Sequence, residues 1–174
     1  MFSILWLFLA TLFPMHVMAA DSKGIVFGLI APTDEADAVK KWQPLIDDMA
    51  AELKMPVSVI ASKDYGVIIK GLADGKIQVA WLGQKAALQA VLESNAEVIA
   101  KHVMANGSKG YSSLLLASKS GPVKSLEDVV GSPGKYTLAL GKPTSTSGFL
   151  VPIYYVITKN KLDLRTHFKR MDTG

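Results

Sequence analysis

The chain predicts an α/β fold with a mostly parallel sheet and helices on both of its faces. Two observations carry that expectation. Short apolar runs closed by Pro, Gly or a polar cluster alternate with longer stretches whose apolar residues recur at helical spacing. Asp, Ser, Thr or Gly stands at the joints where a run passes into a helix, as helix starts require. A third observation bears on function. The run ending at Leu140 leads into Pro143-Thr144-Ser145-Thr146-Ser147-Gly148, directly before the apolar stretch Phe149 to Ile157. In parallel α/β sheets ligands sit outside the carboxyl ends of the strands, which is where this hydroxyl cluster falls.

Taken in order, Ile25 to Ile30 is a short apolar run ending at Pro32 and reads as a buried strand. Thr33 and Asp34 can cap the next segment, where Val39, Trp42, Leu45, Ile46, Met49 and Leu53 recur as one helical face. Pro44 lies inside it and predicts a break or kink near Trp42. Val57 to Ala61 is a second strand. Asp64 caps a helix carrying Tyr65, Ile68, Ile69 and Leu72, stopping at Asp74-Gly75. Ile77 to Leu82 is a third strand and passes into a helix from Gly83 to Leu92. Glu97 to Met104 and Tyr111 to Ser118 are expected as strands about the turn Asn106-Gly107-Ser108. A short helix over Leu126 to Val130 and a strand over Tyr136 to Leu140 follow. The polar stretch Ser118-Lys119-Ser120-Gly121-Pro122 is the best candidate for a boundary.

Residues 1–20 are almost wholly apolar, carry no Lys, Arg, Asp or Glu, and end in small residues before Asp21. This pattern predicts a secretory signal peptide cleaved after Ala19 or Ala20, although Met1-Phe2-Ser3 lacks a basic side chain and leaves an uncleaved anchor open. The chain has no cysteine, which excludes disulfides, thiolate metal sites, a cysteine nucleophile and a lipidated amino-terminal cysteine. The formal net charge of +4 is dispersed, and only Lys40-Lys41 and Lys169-Arg170 are adjacent basic pairs. Nucleic-acid binders concentrate such charge on one face, so a small anionic ligand, or solubility in general, is the better match.

At a helix start the hydroxyls of Ser145, Thr146 and Ser147 can act as donors beside unpaired backbone N–H groups, and Gly148 permits close approach. That makes a socket for a small oxyanion; an ordinary N-cap uses the same residue types. Other chemistry is poorly supplied. His102 and His167 are isolated, Asp47-Asp48 has no acidic partner cluster, and Walker, dinucleotide and nucleophile-elbow motifs are missing. Lys142 reads as a solvent-facing loop lysine. No catalytic residue, metal ligand or cofactor is expected.

Asp64-Tyr65-Gly66-Val67-Ile68-Ile69-Lys70-Gly71-Leu72, then Gly75-Lys76-Ile77-Gln78-Val79-Ala80-Trp81-Leu82-Gly83, then Pro143 to Pro152, stand in this order, with Gly110-Tyr111 and Ser125 to Val129 between the last two. In these motifs residues 24–174 resemble the periplasmic phosphonate-binding proteins of ABC transporters, a branch that includes phosphite- and phosphate-type binders. The resemblance implies a type II-like periplasmic binding protein whose two lobes close on a ligand by a hinge. It implies ligand contacts from Tyr65, Tyr111, Ser145, Thr146 and Ser147. From the residues alone, Tyr65 equally suits a half-buried core aromatic and Tyr111 a strand position. Gln84 stands where such families often have a proline, and serves either as a donor or as a plain helix former. The chain also stops soon after entering a second lobe, so the resemblance implies a fragment. In that reading lobe one covers 21–118, an incomplete lobe two covers 119–174, and acidic and histidine contacts to a ligand amino group lie beyond it.

The resulting expectation is a periplasmic solute-binding protein, not an enzyme, that captures a phosphonate, phosphite or phosphate for an ABC-transporter permease. One alternative keeps the fold as the sensor module of a membrane signalling protein. Another is a hydrolase or transferase with Ser145 or Ser147 as nucleophile, which lacks a base in sequence reach.

Overall fold

A computed structural model describes residues 24–174. The signal segment expected over 1–20 lies outside the described residues. Among them no helix is long and apolar enough to cross a membrane.

Strand β1 (Ile25–Ile30) is the centre of a parallel sheet of order β2-β1-β3. Strand β2 (Val57–Ser62) pairs along its whole length, Ile25 opposite Val57 through Ile30 opposite Ser62. Strand β3 (Val79–Trp81) pairs on the other side, with Phe27 opposite Val79. Helix α1 (Glu35–Leu53) links β1 to β2, and its N-cap Asp34 accepts the Asp37 N–H at 2.8 Å. Helix α2 (Tyr65–Ala73) links β2 to β3, capped by Asp64 at 2.8 Å from the Gly66 N–H. Helix α3 (Gln84–Ser94) follows β3 directly after Gly83.

The core of this layer holds Phe27, Leu29, Ile46, Ile68, Ile69 and Ile77, all buried. Packing is especially tight at Gly71. A Cβ there would lie 2.5 Å from Ile77 Cδ1 and 2.8 Å from Ile77 Cγ1, so only glycine lets α2 approach this closely.

The helix break expected near Trp42 does not form, and α1 runs through Pro44 without interruption. Proline removes one backbone bond, but residues on either side of it are pinned to the sheet. Trp42 packs between Phe27 (centroids 5.6 Å apart) and Trp81 (5.0 Å), and Ile46 is 1 % exposed.

The two strands expected over 97–104 and 111–118 are also corrected, because neither forms a ladder. The turn between them is real. The Gly107 N–H donates to the Met104 carbonyl at 2.8 Å, Asn106 accepts the Ser108 N–H at 3.0 Å, and Gly107 has φ +81°. The apolar pattern suits a strand, but among the described residues no neighbouring strand offers it a row of partners: β3 is three residues long and pairs there only with β1. Leu114 and Leu116 consequently lie exposed.

A second parallel pair joins β4 (Thr137–Leu140) to β5 (Arg170–Thr173), with Thr137 opposite Arg170. Helix α4 (Leu126–Val130) precedes it and starts with a reciprocal capping box of Ser125 and Asp128. The Lys124 and Ser125 N–H groups donate to the Asp128 carboxylate at 2.8 and 2.9 Å and hold its pKa below the ordinary aspartate value. Between β4 and β5 lies α5, spanning 146–158. It is built of two wide, π-helical stretches, Thr146–Leu150 and Ile153–Thr158, joined through Val151 and Pro152. Val156, Ile157 and Phe168 form its core against Val129, Leu138, Ile153, Leu162 and Leu164. His167 is structural: its Nε2 lies 2.9 Å from the Val129 carbonyl.

Candidate oxyanion site at the start of α5

The hydroxyl cluster opens a helix, as its composition requires, and Ser145 is the N-cap. Its Oγ accepts the Gly148 N–H at 3.0 Å. The first turn is wide, so the first ladder bond runs five residues back, from the Leu150 N–H to the Ser145 carbonyl at 3.1 Å. Four N–H groups, those of residues 146–149, therefore precede the ladder, one more than in an α-helix after its cap. Gly148 has spent its own on Ser145, leaving those of Thr146, Ser147 and Phe149 at the positive end of the helix. The cluster is held from behind by Gly141, whose N–H donates to the Gly148 carbonyl at 2.8 Å. Its Cα is also within van der Waals reach of Gly148, where a Cβ would come within 3.2 Å.

The other two hydroxyls are engaged by neighbours from elsewhere in the chain. Thr146 Oγ1 accepts the Lys85 backbone N–H at 2.9 Å, so the start of α5 abuts the start of α3. Helix α3 has Gly83 as its N-cap, with no side-chain cap bond of its own. Ser147 Oγ accepts from the Tyr111 hydroxyl at 3.3 Å, and the Ser147 carbonyl accepts from Ser113 Oγ at 2.6 Å. The segment 111–113, which is not a strand, thus serves as a strap over the cluster.

Each of the three hydroxyl oxygens therefore already accepts a hydrogen bond from the protein. A hydroxyl whose oxygen is held in this way keeps its own proton to donate. Three donors and the helix end converge on one short segment, and the first turn of α5 contains no acidic side chain. Such an arrangement favours an anion with several acceptor oxygens.

Of the residues expected at the site, Ser145, Thr146, Ser147 and Tyr111 are joined in one network. Tyr65 stands apart from it in hydrogen bonding. It occupies the first turn of α2 and packs, half-buried, against Ile69, Ala86 and Ala90 between α2 and α3. Its ring thus lies against α3, the helix whose start is bonded to Thr146. Gln84 is exposed as the first residue of α3. Sequence reasoning missed Ser113 and Lys85. Ser113 gives no signal among three consecutive polar and aromatic residues, Tyr111 to Ser113. Lys85 does give one, since a lysine in the first turn of a helix opposes the helix dipole.

Parallel strands with helices, and a cluster of donors outside a strand end, place the chain in the α/β class, and the longer solved relatives that superpose on it are type II periplasmic binding proteins. Residues 27–174 match the family described as ABC transporter, phosphonate, periplasmic substrate-binding protein. The chain belongs to that family. It is 37 % identical over 157 residues to the phosphonates-binding periplasmic protein of Escherichia coli (strain K12), covering 90 % of this chain and 46 % of that one. The crystal structure of a binding protein component of an ABC phosphonate transporter from Pseudomonas aeruginosa superposes with TM-score 0.81 at 39 % identity, over 86 % of this chain and 50 % of that one. PhnD1 from Prochlorococcus marinus (MIT 9301), solved in complex with methylphosphonate, shares the fold with TM-score 0.63 at 21 % identity, over 87 % of this chain and 55 % of that one. The chain spans about half the length of the relatives it matches.

Proposed function

We propose that the protein captures a phosphonate, or a related tetrahedral oxyanion such as phosphite or phosphate, in the periplasm and delivers it to an ABC-transporter permease. The observation that carries this reading is the triple role of the α5 start. Ser145, Thr146 and Ser147 accept from Gly148, Lys85 and Tyr111, so their protons are the donors offered to the ligand. Tyr111 orients Ser147, and Tyr65 adds its hydroxyl from the α2 start. Neutral donors suit a receptor that must release its cargo, because each contributes only about 1–3 kcal/mol to a charged acceptor. Capture without turnover is the reading that the match to a substrate-binding family supports. We assign the β2-β1-β3 layer to a first lobe, 21–118, and the β4-β5 pair to a second, 119–174.

The test is calorimetric titration with 2-aminoethylphosphonate, methylphosphonate, phosphite and phosphate. One of them should bind, and Ser145→Ala and Tyr65→Phe should weaken it. A folded protein that takes up none of the panel would overturn the proposal.

A further inference from the structure

Lys85 is the only residue that grips the hydroxyl cluster with both its main chain and its side chain among the hydrogen bonds of the described residues. Its N–H donates to Thr146 Oγ1 at 2.9 Å, and its ammonium donates to the Pro143 carbonyl. The same ammonium stands over the Phe149 ring, 5.2 Å from the centroid. One side chain therefore touches the cluster ahead of its cap and again in the first turn of α5. Local helix energetics argue against this placement. A cation in the first turn faces the positive end of the dipole, and α3 has neither an acidic first turn nor a side-chain cap to offset it. The side chain is half-buried, not extended into solvent as a surface lysine would be.

We infer that Lys85 is a positioning residue of the oxyanion site. It clamps residues 143–149 onto the start of α3 and thereby fixes the direction of the Thr146 proton. Thr146 Oγ1 can accept from the Lys85 N–H only while the cluster stays against α3, and the Pro143 and Phe149 contacts of the ammonium hold it there. With the oxygen so fixed, the Thr146 O–H points away from α3. Without the clamp the hydroxyl is a free rotor and the ligand must order it. This role rests on the function proposed above, and it makes Lys85 act through Thr146 and not on the ligand itself.

The experiment compares Lys85→Met, Lys85→Arg and the parent protein by calorimetry with methylphosphonate and 2-aminoethylphosphonate, at low salt and at high salt. It is accompanied by amide hydrogen exchange over 141–150 without ligand. Lys85→Met should bind roughly five- to tenfold more weakly, and faster exchange should be confined to that segment. Lys85→Arg should recover most of the affinity. The loss should persist at high salt, because a clamp does not act by long-range charge. A parent that binds, with Lys85→Met binding equally well, would overturn the inference and leave the function standing. So would a loss that vanishes in salt, which would mark direct attraction of the anion. If the parent binds nothing in the panel, the function fails, and the exchange data alone decide the clamp: unchanged exchange refutes it. Should Lys85→Met not fold, Lys85→Gln carries the same expectations, since its shorter neutral chain loses the charge over Phe149.

Discussion

Thr146→Val is the sharpest single probe of the site. Valine keeps the shape and β-branching of threonine and replaces only the hydroxyl. That hydroxyl accepts the Lys85 N–H at 2.9 Å and, in the proposed function, donates to the ligand. The two losses appear in different measurements. Leaving the half-buried Lys85 N–H without its acceptor should cost about 1–2 kcal/mol of stability. For a chain of this size that is a fall in Tm of roughly 2–8 °C. Losing one donor to a charged acceptor should cost about 1.5–3 kcal/mol of binding. That is a dissociation constant roughly 10- to 150-fold higher. Thermal melts without ligand read the first, and calorimetry with the best ligand of the phosphonate panel reads the second. Thr146→Ser keeps the hydroxyl and should bind within a few-fold of the parent. A valine variant that melts lower yet binds with unchanged affinity would refute the reasoning, reducing Thr146 to an anchor for α3.

Three further expectations can be checked with the same instruments. In Gly71→Ala the new methyl meets Ile77 Cδ1 at 2.5 Å, an overpacking that costs about 1–3 kcal/mol against a helix-propensity gain of at most about 1 kcal/mol. Its Tm should therefore fall, and adding Ile77→Val should recover part of the loss; a Tm at or above the parent's would show that α2 can move away freely. The Asp128 carboxylate has its pKa depressed by the Lys124 and then the Ser125 N–H, so its stabilisation is full above the ordinary aspartate pKa and fades as pH falls through the depressed one. Asp128→Asn should melt below the parent at neutral pH, and the gap should close in acid; a gap independent of pH would assign the effect to capping geometry alone. Tyr111→Phe should leave Tm within about 1 °C, since Tyr111 is exposed, and weaken ligand binding a few-fold by releasing Ser147. Unchanged affinity would remove Tyr111 from the site.

Much of this architecture is legible in the chain because local and global preferences agree. Asp64 and Asp34 are strong caps standing before helical periodicity, and both cap helices. The run Ile25 to Ile30 reads as a buried strand and forms the sheet's centre. The hydroxyl cluster could be placed at a helix start because Ser and Thr favour that position and an apolar run follows. What was not legible depends on partners remote in sequence. Residues 97–104 and 111–118 have strand-like patterns, but a strand exists only where a neighbour supplies a ladder. Pro44 is tolerated because Trp42 finds Phe27 and Trp81, contacts that periodicity does not encode. The π-helical turn of Thr146–Leu150 is set by tertiary packing, and the donors to Ser147 and Thr146 come from residues 36 and 61 positions away.

The order β2-β1-β3 has a consequence for how the chain is made. Its central strand comes first, and both flanking strands come later, each only after a helix. From Ile25 to Trp81 the ribosome must add 56 residues before the sheet is whole. At the usual pace of synthesis that takes on the order of 3–11 s. During that interval β1 has at most one edge covered and the layer lacks its second side. Members of a periplasmic family have to be threaded across a membrane before they work, and a sheet that closes from the inside outwards, late, is one that leaves its own export route open.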